Sequence, residues 1–392
     1  MEHRLVTVQE AWEIVARSVP DWGVQPVALR RAASRILAQD ILADRDCPGF
    51  DRVCMDGIAV TALPVPGQEF GSLGVQAAGE AAMELSGTES CCEVMTGGVL
   101  PSGSLCVIPY EDLERTADGF RFVPRKAGPL RLYANVSRRG EDCAAGDLLL
   151  RCGSRLGAAE VGILASVGAV RPSVRRRPRV AVVSTGSELV SPREVPGPAS
   201  LRRSNDMAVT TLLRQWGVTV GGLHHLRDDP DETREVLARL LGRNDVLVTT
   251  GGVSMGRYDH VHAVLPRLGV ERLFHGVAQK PGKPFWFGST GRKLVFALPG
   301  NPVSALFSAR RFVVPALSAL DCAAREVRLD FHLKPDPLTR FLPLRRGEEG
   351  WVPAASNGSG DFMALAGTEG FVEWAPGADP DRLPFHRWAP GG

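Results

Sequence analysis

The chain has 392 residues, with 46 Lys and Arg against 44 Asp and Glu, a net charge of +2 and 44% hydrophobic residues. This length and apolar content suit about two to four folded domains, and the near-neutral, interspersed charge gives no argument for nucleic-acid binding. The N-terminus lacks the apolar core of a secretory signal, and the best apolar run, residues 161–170, is too short to cross a membrane. We expect a cytoplasmic protein that binds neither nucleic acid nor membrane.

The first part of the chain changes character twice. Apolar residues recur at helical spacing over residues 8–19 and 29–42, and again over 158–165. Between them, residues 44–140 hold short β-like runs, such as 106–108 and 120–123, separated by glycine and proline. This order predicts a small β module inserted into a helical subdomain, so that the chain leaves the subdomain and returns to it.

From about residue 175 to 320, apolar β-rich runs alternate with helical patterns. One helix should start at Asp229, an N-cap acid followed by Pro230 at the first helical position and Glu232 at N3. Another helix should cover about 206–216. The apolar runs, typical of strands buried on both faces of a parallel sheet, are residues 180–183, 246–248 and 294–298. The alternation predicts a doubly wound, mostly parallel α/β sheet.

After Cys322 the β character returns in short runs at residues 327–331, 340–344, 350–352 and 370–374. The sequence therefore predicts a multidomain α/β plus β protein. Its four parts are a discontinuous helical domain (1–43 and 141–174), an inserted β domain (44–140), an α/β domain (175–322) and a C-terminal β domain (323–392).

Polar, glycine-containing loops follow three of the predicted strands. One loop ends at Glu188, the second contains Gly251 and Gly252 and is followed by Asp259, and the third is the Pro-Gly-Asn-Pro turn of residues 299–302. Glycines let a ligand approach the backbone, hydroxyls and N–H groups suit phosphate, and Asp259 could hold a cation. A lone Gly-Gly loop is more often an ordinary βα turn, but three neighbouring strand ends predict a ligand site.

The basic and cysteine clusters carry less information. Residues 171–179 are rich in arginine but contain two prolines, which favours a solvated linker over a nucleic-acid patch. The eight cysteines have no C-x-x-C spacing for zinc, and without an export signal disulfides are not expected. We expect reduced thiols that pack as small buried hydrophobic groups.

Further short motifs extend along most of the chain. In order they are Pro48-Gly-Phe-Asp through Met55-Asp-Gly57, Met95-Thr-Gly97, Ser184-Thr-Gly-Ser-Glu188, Arg227-Asp-Asp-Pro230, Thr250-Gly-Gly-Val-Ser-Met-Gly256, Lys280-Pro-Gly-Lys-Pro284 and Leu298-Pro-Gly-Asn-Pro-Val303. This order resembles that of the MoeA family of molybdopterin molybdenumtransferases, which is similar to the E domain of gephyrin. The resemblance weakens only at the extreme N-terminus and in the C-terminal domain. It implies the same four-part architecture, with the α/β domain binding molybdopterin.

The resemblance implies the last step of molybdenum cofactor assembly. Adenylyl-molybdopterin and molybdate would be the substrates, and AMP would be released in a step that depends on a divalent cation, with Mg²⁺ as the expected ion. A homodimer is implied, in which the inserted β domain reaches the α/β site of the partner subunit. A molybdopterin adenylyltransferase is a candidate partner that would hand over the substrate.

Residue roles are carried over by motif. Catalytic roles are implied for Asp56, Thr96, Glu188, Asp228, Asp259 and Lys280, and metal ligation for Glu188, Asp228 and Asp259. Substrate binding is implied for Thr185, Gly186, Ser187, Thr250, Gly251, Gly252, Ser254, Lys283, Pro299, Gly300, Asn301, Pro302, Ser304, Arg340 and Ser359. Molybdate is an oxyanion, so its pocket should be basic and rich in hydroxyls. For Arg340 and Ser359, an exposed β-domain surface is an equally good interpretation.

One departure from the family pattern concerns Gly276. Many family members have a basic residue at this position, four residues before the first lysine of Lys280-Pro-Gly. Either His275 or an arginine elsewhere replaces it, or the site is weaker. A non-catalytic molybdopterin-binding or scaffold protein of the gephyrin type is therefore the alternative function, although such a binder has little need for Asp56, Glu188, Asp228 and Asp259. A P-loop or dinucleotide-binding enzyme is disfavoured because neither glycine motif is present.

Overall fold

The computed structural model describes residues 4–125, 128–253, 259–329, 331, 335–348 and 350–390. No helix within these ranges is long and apolar enough to cross a membrane. The chain forms two compact units, which are described separately: residues 1–25 with 175–392, and residues 26–174. We call them the large unit and the small unit.

The helices and strands, in chain order, define the labels used below. The helices are α1 (Val8–Ser18), α2 (Ala158–Ser166), α3 (Asn205–Gln215), α4 (Pro230–Arg243), α5 (Val261–Arg267), α6 (Pro302–Ser308) and α7 (Val314–Leu317). The strands are β1 (Val24–Pro26), β2 (Ile41–Leu42), β3 (Arg52–Val53), β4 (Gly57–Val60), β5 (Glu69–Gln76), β6 (Ser90–Val94), β7 (Cys106–Pro109), β8 (Leu113–Arg115), β9 (Gly119–Phe122), β10 (Val136–Ser137), β11 (Leu148–Leu150), β12 (Ser173–Arg175), β13 (Val180–Thr185), β14 (Leu189–Val190), β15 (Leu201–Arg202), β16 (Val220–Leu226), β17 (Val246–Thr250), β18 (Glu271–His275), β19 (Gln279–Lys280), β20 (Trp286–Ser289), β21 (Leu294–Leu298), β22 (Arg325–Val327), β23 (Thr339–Arg346), β24 (Trp351–Pro353), β25 (Gly370–Trp374) and β26 (Leu383–Arg387).

The large unit is built on a six-stranded sheet in the order β16-β13-β17-β21-β20-β18. The first four strands are parallel to one another, and β20 pairs in the antiparallel direction with both β21 and β18. Alternate side chains of β13 enter different cores: Val180 and Val182 pack with α3 residues, whereas Ala181 and Val183 pack with α4 and α5 residues. Helices therefore cover both faces, as the predicted doubly wound, mostly parallel sheet requires.

Helix α4 begins where the sequence predicts. The side chain of its N-cap Asp229 accepts a hydrogen bond from the backbone N–H of Glu232, and Pro230 occupies the first helical position. Helix α3 covers the second predicted segment almost residue for residue. Helix α1 lies in the large unit, where Val8, Ala11 and Val15 join the same core as β13 and α3. The first 25 residues thus group with the α/β part of the chain.

The helix predicted over residues 29–42 is wrong. This segment forms only a short 3-10 turn, Leu29–Arg31, before bends and the strand β2. Ser34 has a positive φ of 61°, and the N–H groups of Ser34 and Leu37 donate to carbonyls of residues 154–156 at 2.7 and 2.8 Å. Pairing with another segment satisfies these donors, so tertiary contacts override the helical spacing of the apolar residues. In contrast, the predicted segment 158–165 does form α2.

The small unit contains a six-stranded sheet in the order β7-β4-β6-β5-β9-β8. The chain enters and leaves this β module along an antiparallel ribbon, in which β2 pairs with β11 and β3 pairs with β10. A predicted β module between residues 44 and 140 is consistent with this sheet.

The large unit contains a second six-stranded sheet in its C-terminal part. Its strands follow the order β19-β23-β25-β26-β22, and β24 pairs with β23. Strand β26 was not predicted. The helix that begins with α6 runs into this region through a π-helical segment, Ala309–Val313, and ends with α7. On this helix, the ring of Phe307 stacks on that of Trp388 with centroids 5.4 Å apart. Aromatic packing therefore joins the helix to the C-terminal sheet.

A buried carboxylate connects two neighbouring parallel strands at the start of the α/β sheet. Asp245, just before β17, accepts hydrogen bonds at 2.8 Å from Arg176 Nη1 and from the backbone N–H of Arg179, just before β13. Two arginines of the predicted solvated linker are thus engaged by one acid. Burial would raise the pKa of Asp245, but the hydrogen bonds from Arg176 and Arg179 outweigh it and lower the pKa to about 2.

We expect Asp245→Asn to lower the free energy of unfolding by about 2 kcal/mol at pH 7. Because the folded-state pKa lies below the ordinary value of 3.8, the carboxylate contributes fully above pH 3.8 and loses its contribution as the pH falls toward 2. Urea unfolding at pH 7 and pH 3 measures the effect. A difference between wild type and variant that is as large at pH 3 as at pH 7 would refute this assignment.

Cysteine burial differs from the expectation. Cys91, Cys92 and Cys106 are buried as predicted. Cys54 and Cys152 are exposed, and the remaining three, Cys47, Cys143 and Cys322, are half-buried. All eight lie in the part of the chain that the structure describes and are free thiols. The packing interpretation therefore holds only for the cysteines on β6 and on the edge strand β7.

Candidate functional site

The ligand-binding edge of the α/β sheet is formed by loops that follow its parallel strands. Glu188 follows β13, Asp228 follows β16, Gly251 and Gly252 follow β17, and the turn of residues 299–302 follows β21. Because these strands are parallel neighbours, their carboxyl ends meet at one edge. The loops line a single cavity of about 1190 Å³.

Most of the predicted site residues of the large unit line this cavity. They are Thr185, Gly186, Glu188, Asp228, Thr250, Gly251, Gly252, Asp259, Lys280, Lys283, Pro299, Gly300, Asn301, Pro302, Ser304, Arg340 and Ser359. Ser187 does not line the cavity but forms hydrogen bonds with Asp228, which does. Ser254 lies outside the described residues. The fold therefore brings predicted site residues as far apart in the chain as Thr185 and Ser359 into one cavity.

The glycine pair allows two loops to pack directly against each other. Gly251 has a φ of +87°, and a Cβ atom there would lie 2.8 Å from both the carbonyl oxygen and Oγ1 of Thr185. A Cβ on Gly252, with a φ of +69°, would lie 3.0 Å from the same Oγ1 and 2.7 Å from Val261. Only glycine fits this close approach. The two glycines thus allow the loops after β13 and β17 to pack together.

We expect Gly251→Ala to destabilise the large unit by at least about 1 kcal/mol more than Gly269→Ala. Gly269 is the matched control, because its φ of +79° carries the same backbone strain but a Cβ there meets nothing within 4 Å. Urea unfolding of both variants measures the difference. Equal losses would show that the Thr185 contact is relieved without cost.

Residues of the loop after β13 position two of the acids, Asp228 and Glu188. The backbone N–H of Ser187 donates to Asp228 Oδ2 and the N–H of Asp228 donates to Ser187 Oγ, both at 2.9 Å. The Glu188 carboxylate lies over Gly186, where a Cβ would be 2.6 Å from Oε2. Within the described ranges, no three His, Cys, Asp or Glu side chains are close enough to hold a metal ion by themselves. The predicted three-carboxylate ligand set is therefore not assembled by the protein alone.

Basic side chains come from a different wall of the cavity. The short strand β19 pairs in parallel with β23, which places Lys280 opposite Arg340. Lys280 Nζ lies 4.0 Å from Asp336 Oδ2 and its side chain is 67% exposed. Ser359 Oγ accepts a hydrogen bond of 2.8 Å from Asn301 Nδ2, which links the C-terminal β region to the turn after β21. Arg340 and Ser359 thus lie in the cavity wall, not on a remote β surface.

Two residues that sequence reasoning missed organise these walls. Gln279 is 1% exposed, and its Nε2 donates to the Gly282 carbonyl and to Ser308 Oγ, both at 3.1 Å. Gly282 has a φ of +103°, and a Cβ there would lie 2.5 Å from that nitrogen. Asn205 Nδ2 donates to the Gly300 carbonyl at 2.6 Å. The only sequence signal for Gln279 is a polar residue in an otherwise apolar approach to the lysine motif.

The backbone at position 276 disfavours any side chain in this protein, because of its positive φ and the neighbouring Leu5. Gly276 has a φ of +97°, and a Cβ would lie 2.6 Å from Leu5 Cδ2. His275 does not replace such a residue in the cavity, because its Nε2 lies 2.9 Å from the Val253 carbonyl and supports the glycine loop. Arg202 and Arg203 do line the cavity, together with Arg340. The structure thus argues against His275 and leaves an arginine elsewhere, or a weaker site, as the two remaining alternatives.

The remaining two predicted residues lie in the small unit and contact each other. Asp56 Oδ1 accepts hydrogen bonds from the backbone N–H of Thr96 at 2.7 Å and from its hydroxyl at 2.8 Å. These two bonds hold the pKa of Asp56 below its usual value, so the exposed group is a carboxylate at neutral pH. Two motifs of the β module thus meet in one hydrogen-bonded pair, in which Asp56 carries the negative charge.

Comparisons with known proteins agree with the motif order. Residues 6–168 match the family model of the MoeA N-terminal region (domain I and II), and residues 181–319 match that of the probable molybdopterin binding domain. A molybdopterin molybdenumtransferase of Synechocystis is 34% identical over 400 residues, which cover 98% of this chain and all of the relative. One of Staphylococcus aureus is 30% identical over 379 residues, covering 92% and 89% of the two chains.

A solved structure has the same overall fold. The crystal structure of a molybdopterin biosynthesis MoeA protein from Pyrococcus horikoshii matches with a TM-score of 0.77 and 28% identity, and the match covers 99% of this chain and all of that one. The family models, the full-length relatives and this structure agree with one another. This chain therefore belongs to the MoeA family of molybdopterin molybdenumtransferases, enzymes of molybdenum cofactor biosynthesis.

Proposed function

We propose that this chain inserts molybdate into adenylyl-molybdopterin, releasing AMP in a step that depends on a divalent cation and giving the molybdenum cofactor. The observation that carries this proposal is the single cavity in which acids from the parallel-strand loops and basic groups from β19 and β23 face one substrate space. A pyrophosphate-linked pterin and an oxyanion need these two chemistries together.

The glycine and hydroxyl loops would hold the phosphates. The backbone N–H of Gly252 and the hydroxyl of Thr250 lie at the carboxyl edge of the sheet, where α/β proteins bind such groups. The N–H of Gly251 and the hydroxyl of Thr185 already donate to the carbonyls of Leu298 and Thr250. Thr250 is 2% exposed, and its Oγ1 has no hydrogen-bond partner within the described part of the chain. This loop would therefore keep its shape from packing against the β13 loop, and the Thr250 hydroxyl would be its unsatisfied donor beside the phosphates.

The acids would share a cation with the substrate. Mg²⁺ is commonly bound by only one or two carboxylates together with substrate phosphates and waters, so the lack of a preformed three-acid cluster among the described residues fits this ion. Glu188 and Asp259 would be the direct ligands, and Asp228 would contribute its second oxygen while Ser187 fixes its orientation. When bound, the ion would neutralise the phosphates and polarise the bond to AMP.

The lysine loop would hold the oxyanion. Lys280 and Lys283, with Arg340 beside Lys280 in the paired strands, are the candidate ligands for molybdate. Ser304 and Ser359 would add hydroxyl groups. Gln279 would fix the spacing of the two lysines through its hydrogen bond to Gly282.

The test is to incubate the purified protein with adenylyl-molybdopterin, Mg²⁺ and molybdate, and to measure AMP and active cofactor. An enzyme forms both products, and omission of molybdate or addition of a chelator stops their formation. Tight substrate binding without AMP release would instead favour the scaffold function of the gephyrin type.

We also propose a homodimer in which the β module of one subunit supplies Asp56 and Thr96 to the cavity of the other. The support is the family resemblance and the exposed carboxylate of Asp56, which the two hydrogen bonds from Thr96 hold in place. A molybdopterin adenylyltransferase would be the partner that delivers the substrate.

A further inference from the structure

The ribbon that connects the β module to the rest of the small unit has a cysteine on each strand. On the entering strand the chain passes from β2 to β3, and on the leaving strand from β10 to β11. Backbone pairing also continues between these paired strands, with the N–H of Gly146 donating to the Ala43 carbonyl and the N–H of Gly140 to the Pro48 carbonyl. Cys47 and Cys143 lie directly opposite each other in this interval.

The backbone pairing of the two cysteines gives a Cα spacing within the range of a disulfide. The N–H of Cys47 donates to the Cys143 carbonyl at 2.8 Å, and the N–H of Cys143 donates to the Cys47 carbonyl at 3.2 Å. Residues that exchange both hydrogen bonds in an antiparallel pair have Cα atoms about 5.5 Å apart. Disulfides span about 4.4–6.8 Å between Cα atoms, so this Cα spacing suits a bridge. Because a hydrogen-bonded pair holds its side chains farther apart than a non-hydrogen-bonded pair, closure of the bond needs a small shift of the ribbon.

The side chains also face each other. Partial burial, and then the neighbouring Cys47 thiol, raise the pKa of the Cys143 thiol, which is also hydrogen-bonded to Cys47. Both side chains are half-buried, so a small oxidant can reach them. The adjacent Cys91 and Cys92 differ in this respect, because their side chains enter separate cores on opposite faces of β6.

We propose that Cys47 and Cys143 are a redox modification site that closes to a reversible disulfide in the presence of a low-molecular-weight disulfide such as oxidised glutathione. The thiolate of one cysteine attacks the external disulfide, forming a mixed disulfide and releasing one thiolate. The second cysteine then displaces the other half of the oxidant. Two protein thiols are oxidised, one external disulfide is reduced to two thiols, and the two protons pass to them.

The bond would add a covalent link to a ribbon that is already fixed by polar contacts. Next to the pair, Asp46 accepts hydrogen bonds from Arg139 Nε at 2.8 Å and from the N–H of Ala145 at 3.0 Å. Linking positions so far apart in sequence restricts the unfolded chain, and this gain exceeds the cost of a small shift in the folded ribbon. Oxidation should therefore stabilise the small unit and lock the register of the ribbon that leads to Asp56.

The test uses the full-length protein in buffers of defined oxidised-to-reduced glutathione ratio. After alkylation and digestion without reductant, mass spectrometry should detect a peptide that links Cys47 to Cys143, two hydrogens lighter than the sum of its reduced halves, and lost on reduction. The unfolding temperature of the oxidised protein should exceed that of the reduced protein by at least about 5 °C.

Serine variants make the assignment specific. Cys47→Ser and Cys143→Ser should each abolish the linked peptide and the redox-dependent rise in unfolding temperature. Cys54→Ser and Cys152→Ser, at exposed cysteines of the same unit, should leave both intact. In the wild-type protein, glutathione attached singly to Cys47 and Cys143 without a linked peptide would overturn the proposal. So would links from either residue to Cys54 or Cys152 in comparable yield.

Discussion

Asp259→Asn is expected to lower the rate of molybdate-dependent AMP release by at least about 100-fold, because a charge that would hold Mg²⁺ against the substrate phosphates is removed. The side chain lines the cavity and the substitution preserves its size, so the unfolding temperature should change little. AMP release at saturating substrate, measured over a range of Mg²⁺ concentrations, gives the rate and the apparent affinity for the ion.

Asp231→Asn is the matched control, since it removes the same charge from a side chain that is 90% exposed on α4 and does not line the cavity. It should leave AMP release unchanged. Normal AMP release by Asp259→Asn would remove this residue from the proposed metal site. A loss of AMP release together with a large loss of thermal stability would assign it a structural role.

Mixing Asp56→Asn protein with Asp259→Asn protein is expected to restore activity that neither variant has alone. If each cavity takes Asp259 from one subunit and Asp56 from its partner, a hybrid dimer contains one cavity with both acids and one with neither. Random exchange makes about half of the dimers hybrids, so about a quarter of wild-type activity should return.

Exchange must be confirmed independently, for example with two affinity tags and capture of mixed dimers. Each variant mixed with itself is the control and should stay inactive. Confirmed exchange without recovered activity would mean that each cavity is completed within one chain. A persistent monomer at assay concentration would contradict the proposed homodimer itself.

The sequence was most informative where local chemistry and tertiary structure agree. The N-cap at Asp229 and the glycine loops after β13 and β17 depend on neighbouring residues, so their position could be predicted. The convergence of these loops also follows from a rule, because parallel strands end at one edge. Residues 29–42 show the limit, since their N–H groups pair with distant residues that no local pattern reveals.

The cavity walls also combine residues that a local motif predicts with residues whose role depends on distant contacts. Lys280 and Lys283 belong to a recognisable motif, whereas the role of the Gln279 amide also depends on Ser308, which lies on another element and is brought to it by the fold. In the same way, Cys47 and Cys143 are separated by most of the β module, and only the register of the ribbon makes them neighbours. Contacts of this kind depend on strand pairing over long sequence separations, which spacing within one segment does not encode.

The stacking of Trp388 on Phe307 gives the molecule a natural optical probe. Phe307 lines the cavity, and its ring stacks on the indole of Trp388 with the two rings inclined by only 16°. The indole N–H of Trp388 donates to Thr368 Oγ1 at 2.9 Å, so the fluorophore is fixed in place. A charged ligand in the cavity changes the electric field one ring away from Trp388, and the emission of this tryptophan should follow cavity occupancy without any attached label.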